Sequence, residues 1–121
     1  MNLQKFTVKA QEAVQKAMEL AASETHQGIE PPHLLEAFLS APDSVAVSIL
    51  RRVGANVDRL RAQAEEALEA LPAVTGASAG DQYVGEDLKK VFDRARAEAD
   101  VMDDAYVSTE HLLIGLVEGQ N

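Results

Sequence analysis

The 121-residue sequence contains no cysteine, so no disulfide framework and no thiolate-ligated metal can organise it. Staples are not needed at this length, because one domain of this size buries about 65% of its unfolded surface around a single core. A cysteine-free chain suits a reducing compartment, and the cytosol is the expected location. Basic residues are also scarce: 11 Lys and Arg against 20 Asp and Glu give a formal charge of −9. Phosphate backbones and anionic lipid both call for a positive face, so the expected partner is protein, with no nucleic acid and no membrane. Long apolar runs are missing as well. The first twenty residues, MNLQKFTVKAQEAVQKAMEL, carry charges throughout, which predicts neither a signal peptide nor a membrane span. The sequence has no G-x-S-x-G elbow and no G-x-x-x-x-G-K-[ST] phosphate loop, so no catalysis is expected of this chain. Glu65 and Glu66 are neighbours on a helix and point apart, which is poor geometry for acid and base work.

What the sequence does contain is helical periodicity. After Thr7, a good N-cap, Ala10, Ala13, Val14, Ala17, Met18 and Ala21 form one apolar stripe and predict a helix to about Ser23. Pro31 suits the first turn of a second helix carrying Leu34, Leu35, Phe38 and Leu39, and Pro42 stops it. Ser44 can cap a third segment, VAVSILRRV, closed by Arg51, Arg52 and Gly54; its β-branched run reads as helix or as strand. A fourth helix spans about Val57 to Leu71, with Leu60, Ala64, Ala67, Leu68 and Leu71 inward and Glu65, Glu66 and Glu69 on a solvated face. PAVTGASAGDQ then reads as a connector. Periodicity resumes after Tyr83, with Leu88, Val91, Phe92, Ala95 and Ala99 in a fifth helix and Ser108 capping a sixth through Leu112, Leu113, Leu116 and Val117.

Two phrases are alike. EPPHLLEAFLS and STEHLLIGLVE place His33 and His111 78 residues apart, and sliding the chain by that offset without a gap also sets Leu34 on Leu112, Leu35 on Leu113, Ala17 on Ala95 and Ala21 on Ala99. The chain is therefore a tandem repeat. The fold class expected is all-α, a pseudo-twofold pair of short-helix repeats: residues 1–71, a connector at 72–83, and an incomplete second copy at 84–121. The second copy stops where the first still has two helices to come. Helices seven and eight would then lie beyond Asn121, and without them the apolar faces of Val91, Leu112 and Leu116 are expected to be uncovered.

MNLQKFTVKAQEAVQKAMELA, QGIEPPHLLEAFL, ILRRVGANVDRL and DDAYVSTEHLLIGLVEG together resemble the Clp N-terminal repeat domain over nearly the whole chain. Within that family, IEPPHLL and the connector after LPAV are most similar to the protein disaggregase branch. The resemblance implies two four-helix repeats mounted flexibly on a hexameric AAA+ ATPase, with ATP and Mg bound in modules outside this chain. It implies recruitment of unfolded or aggregated polypeptides, possible cooperation with a co-chaperone, and a monomeric isolated domain. It also implies substrate-binding roles for Thr7, Asp104 and Glu110. Thr7 has an alternative account as an N-cap, and Glu110 as a first-turn acid favoured by the helix dipole. No comparable structural account is evident for Asp104. Leucines that form an apolar groove on the fifth helix of some relatives are replaced in part by Arg94 and Glu98.

His33 and His111, each at the third position of a helix, are expected to satisfy local backbone groups rather than to ligate metal. Asp100, Asp103 and Asp104 lie near His111 without the spacing of a calcium loop, and read as a solvated acidic turn. Two other classes stay open: an adaptor-docking domain of a protease-coupled unfoldase, and a standalone helical interaction module. The first would want an acid before each histidine, and the sequence has Glu110 before His111 but Pro32 before His33.

Overall fold

A computed structural model of the chain describes residues 4–40, 44–73 and 82–118. The first helix, α1 (Val8–Ser23), starts where the Thr7 hydroxyl accepts the Ala10 N–H at 3.2 Å, and it buries Ala10, Val14, Ala17 and Ala21 on one stripe. A two-residue strand, β1 (Gly28–Ile29), leads into α2 (Pro31–Leu39), which turns Leu34, Leu35, Phe38 and Leu39 inward. Pro42, the expected stop, lies outside the described residues. Ser44 caps α3 (Val45–Arg52) by accepting the Val47 N–H. The segment left between helix and strand is thus a helix, as an N-cap at one end and two arginines at the other favour. Asn56 caps α4 (Val57–Glu69), whose Ala64 is buried and whose Glu65, Glu66 and Glu69 are exposed.

The second half begins with β2 (Tyr83–Val84), then α5 (Glu86–Val101) and α6 (Thr109–Glu118). Of the connector, residues 74–81 lie outside the described residues. The architecture is all-α: α1 packs on α2, α5 on α6, and α2 also on α4, around one continuous core.

The two short strands were not foreseen, and they carry the symmetry. β1 and β2 run parallel with Ile29 beside Val84, and elsewhere Phe6 bridges Val107. Advancing Ile29 by 78 gives Val107, and moving Val84 back by 78 gives Phe6. The two pairings are therefore one pairing made twice. Their hydrogen bonds match: Gly85 N–H donates to Ile29 O at 3.0 Å, and Thr7 N–H to Val107 O at 2.9 Å. Across the same seam the Phe6 and Phe92 rings meet edge to face, with centroids 5.6 Å apart.

One expectation is overturned. Val91, Leu112 and Leu116 are not uncovered; each is at most 4% exposed. The reason is how closely α6 lies on α5. At Gly115 an added Cβ would stand 2.6 Å from the Val91 carbonyl oxygen, so the missing side chain lets the two helices cover one another. The apolar residues that α6 does present are Val117, which is exposed, and the half-buried Ile114.

Candidate functional site

Each repeat folds a histidine back onto the backbone that starts its own helix. His33 Nδ1 accepts the Glu30 N–H at 2.9 Å, and His111 Nδ1 accepts the Ser108 N–H at 2.9 Å. An accepting Nδ1 carries no proton, so the neutral ring carries its hydrogen on Nε2 and donates from there. The His33 Nε2 partner is His26 Nδ1 at 2.9 Å; the His111 Nε2 partner is Asp104 Oδ2 at 3.0 Å. His26 and Asp104 are again 78 residues apart. Both histidines are buried. For His33, burial and then the neighbouring His26 imidazole push the pKa down to about 4 from 6.5.

Asp104 thus has a structural account after all, contrary to the sequence reading: it accepts the hydrogen of a buried imidazole while its own side chain stays 49% exposed. The sequence did hold a signal for this pairing, because the offset that aligns the histidines also aligns Asp104 with His26. Its backbone is fixed too. Asp103 adopts φ 59°, which turns the Asp104 N–H onto Ala99 O at 2.8 Å. Among the described residues no group of three His, Asp or Glu side chains comes together as a metal site.

Glu110 is exposed on the first turn of α6. It lines a groove of about 540 Å³ between α3 of the first repeat and α6 of the second, with Ile49, Val53, Ile114 and Val117 as apolar walls and Arg52 as the other charge. Val53 and Val117 are 72% and 61% exposed, so both are open to solvent where they line the groove. Neither Thr7 nor Asp104 lines this groove. Thr7 is half-buried at the α1 N-terminus, where it both caps the helix and is tied to Val107. Asp104 stands beside the start of α6 through its bond to His111, the residue after Glu110. The structure therefore gathers two of the three residues at the α6 N-terminus and holds Thr7 next to Val107, the bridge residue just before it. The α3 wall was missed, because nothing in VAVSILRRV distinguishes a groove wall from a core stripe.

On the fifth helix, Arg94 donates from Nε to Gly115 O at 3.2 Å, so this side chain ties α5 to α6. Two further carboxyls are pushed above their ordinary range by burial. Glu30 is raised further by Asp87; Glu36 is raised further by Glu65, with Arg61 opposing.

Comparison with known proteins finds the Clp repeat N-terminal domain matching residues 5–121. The chaperone protein ClpB of Bacillus cereus is 38% identical over 120 residues, which is 98% of this chain and 14% of that protein. Among solved structures, the Hsp104 N-terminal domain from Candida albicans superposes with a TM-score of 0.81 at 22% identity, covering 97% of this chain and 76% of that one. A ClpV N-domain in complex with a VipB peptide gives 0.75 at 16% identity, over 98% and 73%.

Proposed function

The chain belongs to the Clp repeat N-terminal domain family, and on that premise we propose that it is the client-recruiting N-terminal domain of a ClpB-type protein disaggregase. The chain spans about a seventh of the ClpB relatives it matches. In this reading the domain is tethered to a hexameric AAA+ motor that binds ATP and Mg and works with a co-chaperone in the cytoplasm; in isolation it is a monomer with repeats at 1–71 and 84–121 and a linking segment at 72–83. The clients are unfolded or aggregated polypeptides.

The observation that carries the reading is the apolar groove between α3 and α6 with Glu110 on its edge. Exposed valines and two half-buried isoleucines offer walls for a client's apolar side chains, and Glu110, Arg52 and the nearby Asp104 offer charge that can orient its backbone or polar groups. A ClpV N-domain has been captured with a peptide, which supports peptide binding as a use of this fold. The adaptor-docking alternative would want a second acid where Pro32 stands, and nothing in the site favours it.

The test is binding of a short fluorescent peptide of leucine, serine and lysine, followed by anisotropy. Val53→Ser with Val117→Ser, and separately Glu110→Ala with Asp104→Ala, should each weaken binding by about 1 to 2 kcal/mol. Glu66→Ala, on the exposed face of α4, changes charge without touching the groove and should leave affinity unchanged. Added salt should weaken the contribution of Glu110 and Asp104, since exposed charges are screened over about 10 Å at 0.1 M. Wild-type affinity in both sets of variants would remove the groove from the site, and equal weakening by Glu66→Ala would reduce the effect to bulk charge.

A further inference from the structure

The two repeats build the same bracket and end it differently, and only one ending offers a carboxylate to solvent. We propose that His111 is the positioning residue of the client site: it holds Asp104 in one orientation by donating from Nε2 to Oδ2, which leaves the second carboxylate oxygen to accept a client N–H. The inference rests on the client-binding reading above and assigns it a residue that touches no client.

The geometry that carries it is a chain of fixed atoms. The Ser108 N–H is accepted by His111 Nδ1 at 2.9 Å, which sets the ring's tautomer, and the ring's Nε2 reaches Asp104 Oδ2 at 3.0 Å. From the other side, the Asp103 N–H donates to Asp100 O and the Asp104 N–H to Ala99 O, so the end of α5 fixes the Asp104 backbone. Val107, three residues on, donates its N–H to Lys5 O. An aspartate on a turn would ordinarily sample several rotamers, and losing that freedom on binding would subtract from affinity. Here the ordering is already complete before any client arrives, because both the backbone and one oxygen are held. Among the described residues no second group pairs with the Asp104 carboxylate, and its side chain is half in solvent. In the first repeat the equivalent position is His26, only 5% exposed, which faces His33 and offers no carboxylate. The domain therefore has one such site rather than two.

Two replacements separate holding Asp104 from holding the helix. An asparagine amide reaches the place of Nδ1 and an accepting oxygen there can keep the Ser108 N–H, but it falls short of Asp104. A glutamine amide reaches the place of Nε2 and can still donate to Asp104. His111→Asn should weaken binding of the leucine, serine and lysine peptide about tenfold, as far as Asp104→Ala does, and the double variant should be no worse than Asp104→Ala alone. His111→Gln should stay within about threefold of wild type. Imidazole nitrogen-15 spectra of the wild-type domain give a reading that needs no variant to fold: adding the peptide should shift His111 Nε2 and leave His33 Nε2 in place. Weakening by Asp104→Ala with wild-type affinity in His111→Asn, or a peptide-bound spectrum with His111 Nε2 unmoved, overturns this inference alone. Wild-type affinity in Asp104→Ala overturns the part of the client site it depends on, and this inference with it.

Discussion

A buried imidazole is tolerated when both ring nitrogens are engaged, and the histidine brackets satisfy that condition in two ways. His33 cannot gain a proton on Nδ1 without losing the Glu30 N–H, and its Nε2 faces another imidazole. Its pKa, pushed down to about 4 by burial and His26, makes the folded state bind protons later than an unfolded chain, whose histidine titrates near 6.5. The stabilising contribution is then fully present above pH 6.5 and is lost as pH falls toward 4, by about 3 kcal/mol in all. Glu30 and Glu36 act in the opposite sense, because their raised pKa values make the folded state take up protons first. Comparison with His33→Asn, which keeps an acceptor for Glu30 and does not titrate, isolates the histidine. Urea midpoints of the wild type should decline from pH 7 to pH 4.5 more steeply than those of the variant; parallel declines would show that His33 contributes nothing to acid sensitivity.

Helices α1, α3 and α5 end in the same way. The N–H two residues past the cap returns to the third-last helical carbonyl: His26 to Ala21, Ala55 to Leu50 and Asp104 to Ala99. This motif needs one left-handed residue, and only α3 supplies a glycine for it, Gly54 at φ 84°. Thr25 at φ 56° and Asp103 at φ 59° adopt the same conformation with side chains attached. A β-branched residue suffers most there, so Thr25→Gly should stabilise by about 1 kcal/mol and Asp103→Gly by a few tenths, aspartate being better tolerated. On a domain of this size the first change should raise Tm by roughly 3 °C, readable in a thermal melt; a lower Tm would mean that the Thr25 hydroxyl bond to Glu24 O outweighs the strain. These endings also mark the limit of what the sequence discloses. Thr7, Ser44, Pro31 and Gly54 announced helix boundaries, because caps are local chemistry. β1 and β2 announced nothing, since two residues cannot show an alternating pattern and each strand exists only because its partner stands more than fifty residues away. The left-handed conformation of Thr25 and Asp103 left no such mark, since neither is the glycine or asparagine that usually announces it. Val91, Leu112 and Leu116 were misjudged because the approach of α5 to α6 depends on Gly115, whose packing role no periodicity reveals.

Across the whole molecule the pseudo-twofold keeps the hydrogen bonds and redistributes the volume. At the start of α1 stands Thr7, which caps Ala10, and the residue equivalent to Glu30 in the other repeat is the short Ser108. At the start of α5 the order is reversed: Gly85 has no side chain, and the Glu30 carboxylate occupies the room, so that an added Cβ would fall 2.6 Å from Glu30 Cδ. Large with small at one seam answers small with large at the other. Gly85→Thr alone should therefore destabilise by about 2 kcal/mol through overpacking. Glu30→Ser alone should cost less, since it removes a carboxyl whose raised pKa already reports burial and the nearby Asp87. Combined, the two changes copy the Thr7 and Ser108 arrangement onto the second seam, and the threonine gains both space and the Leu88 N–H, which stands where Ala10 N–H stands for Thr7. The double variant should recover at least 1 kcal/mol relative to the sum of the single changes. Urea denaturation of the four proteins measures this coupling directly. Simple additivity would mean that the two seams are alike in backbone pairing only, and that the side-chain exchange between repeats is not a compensation.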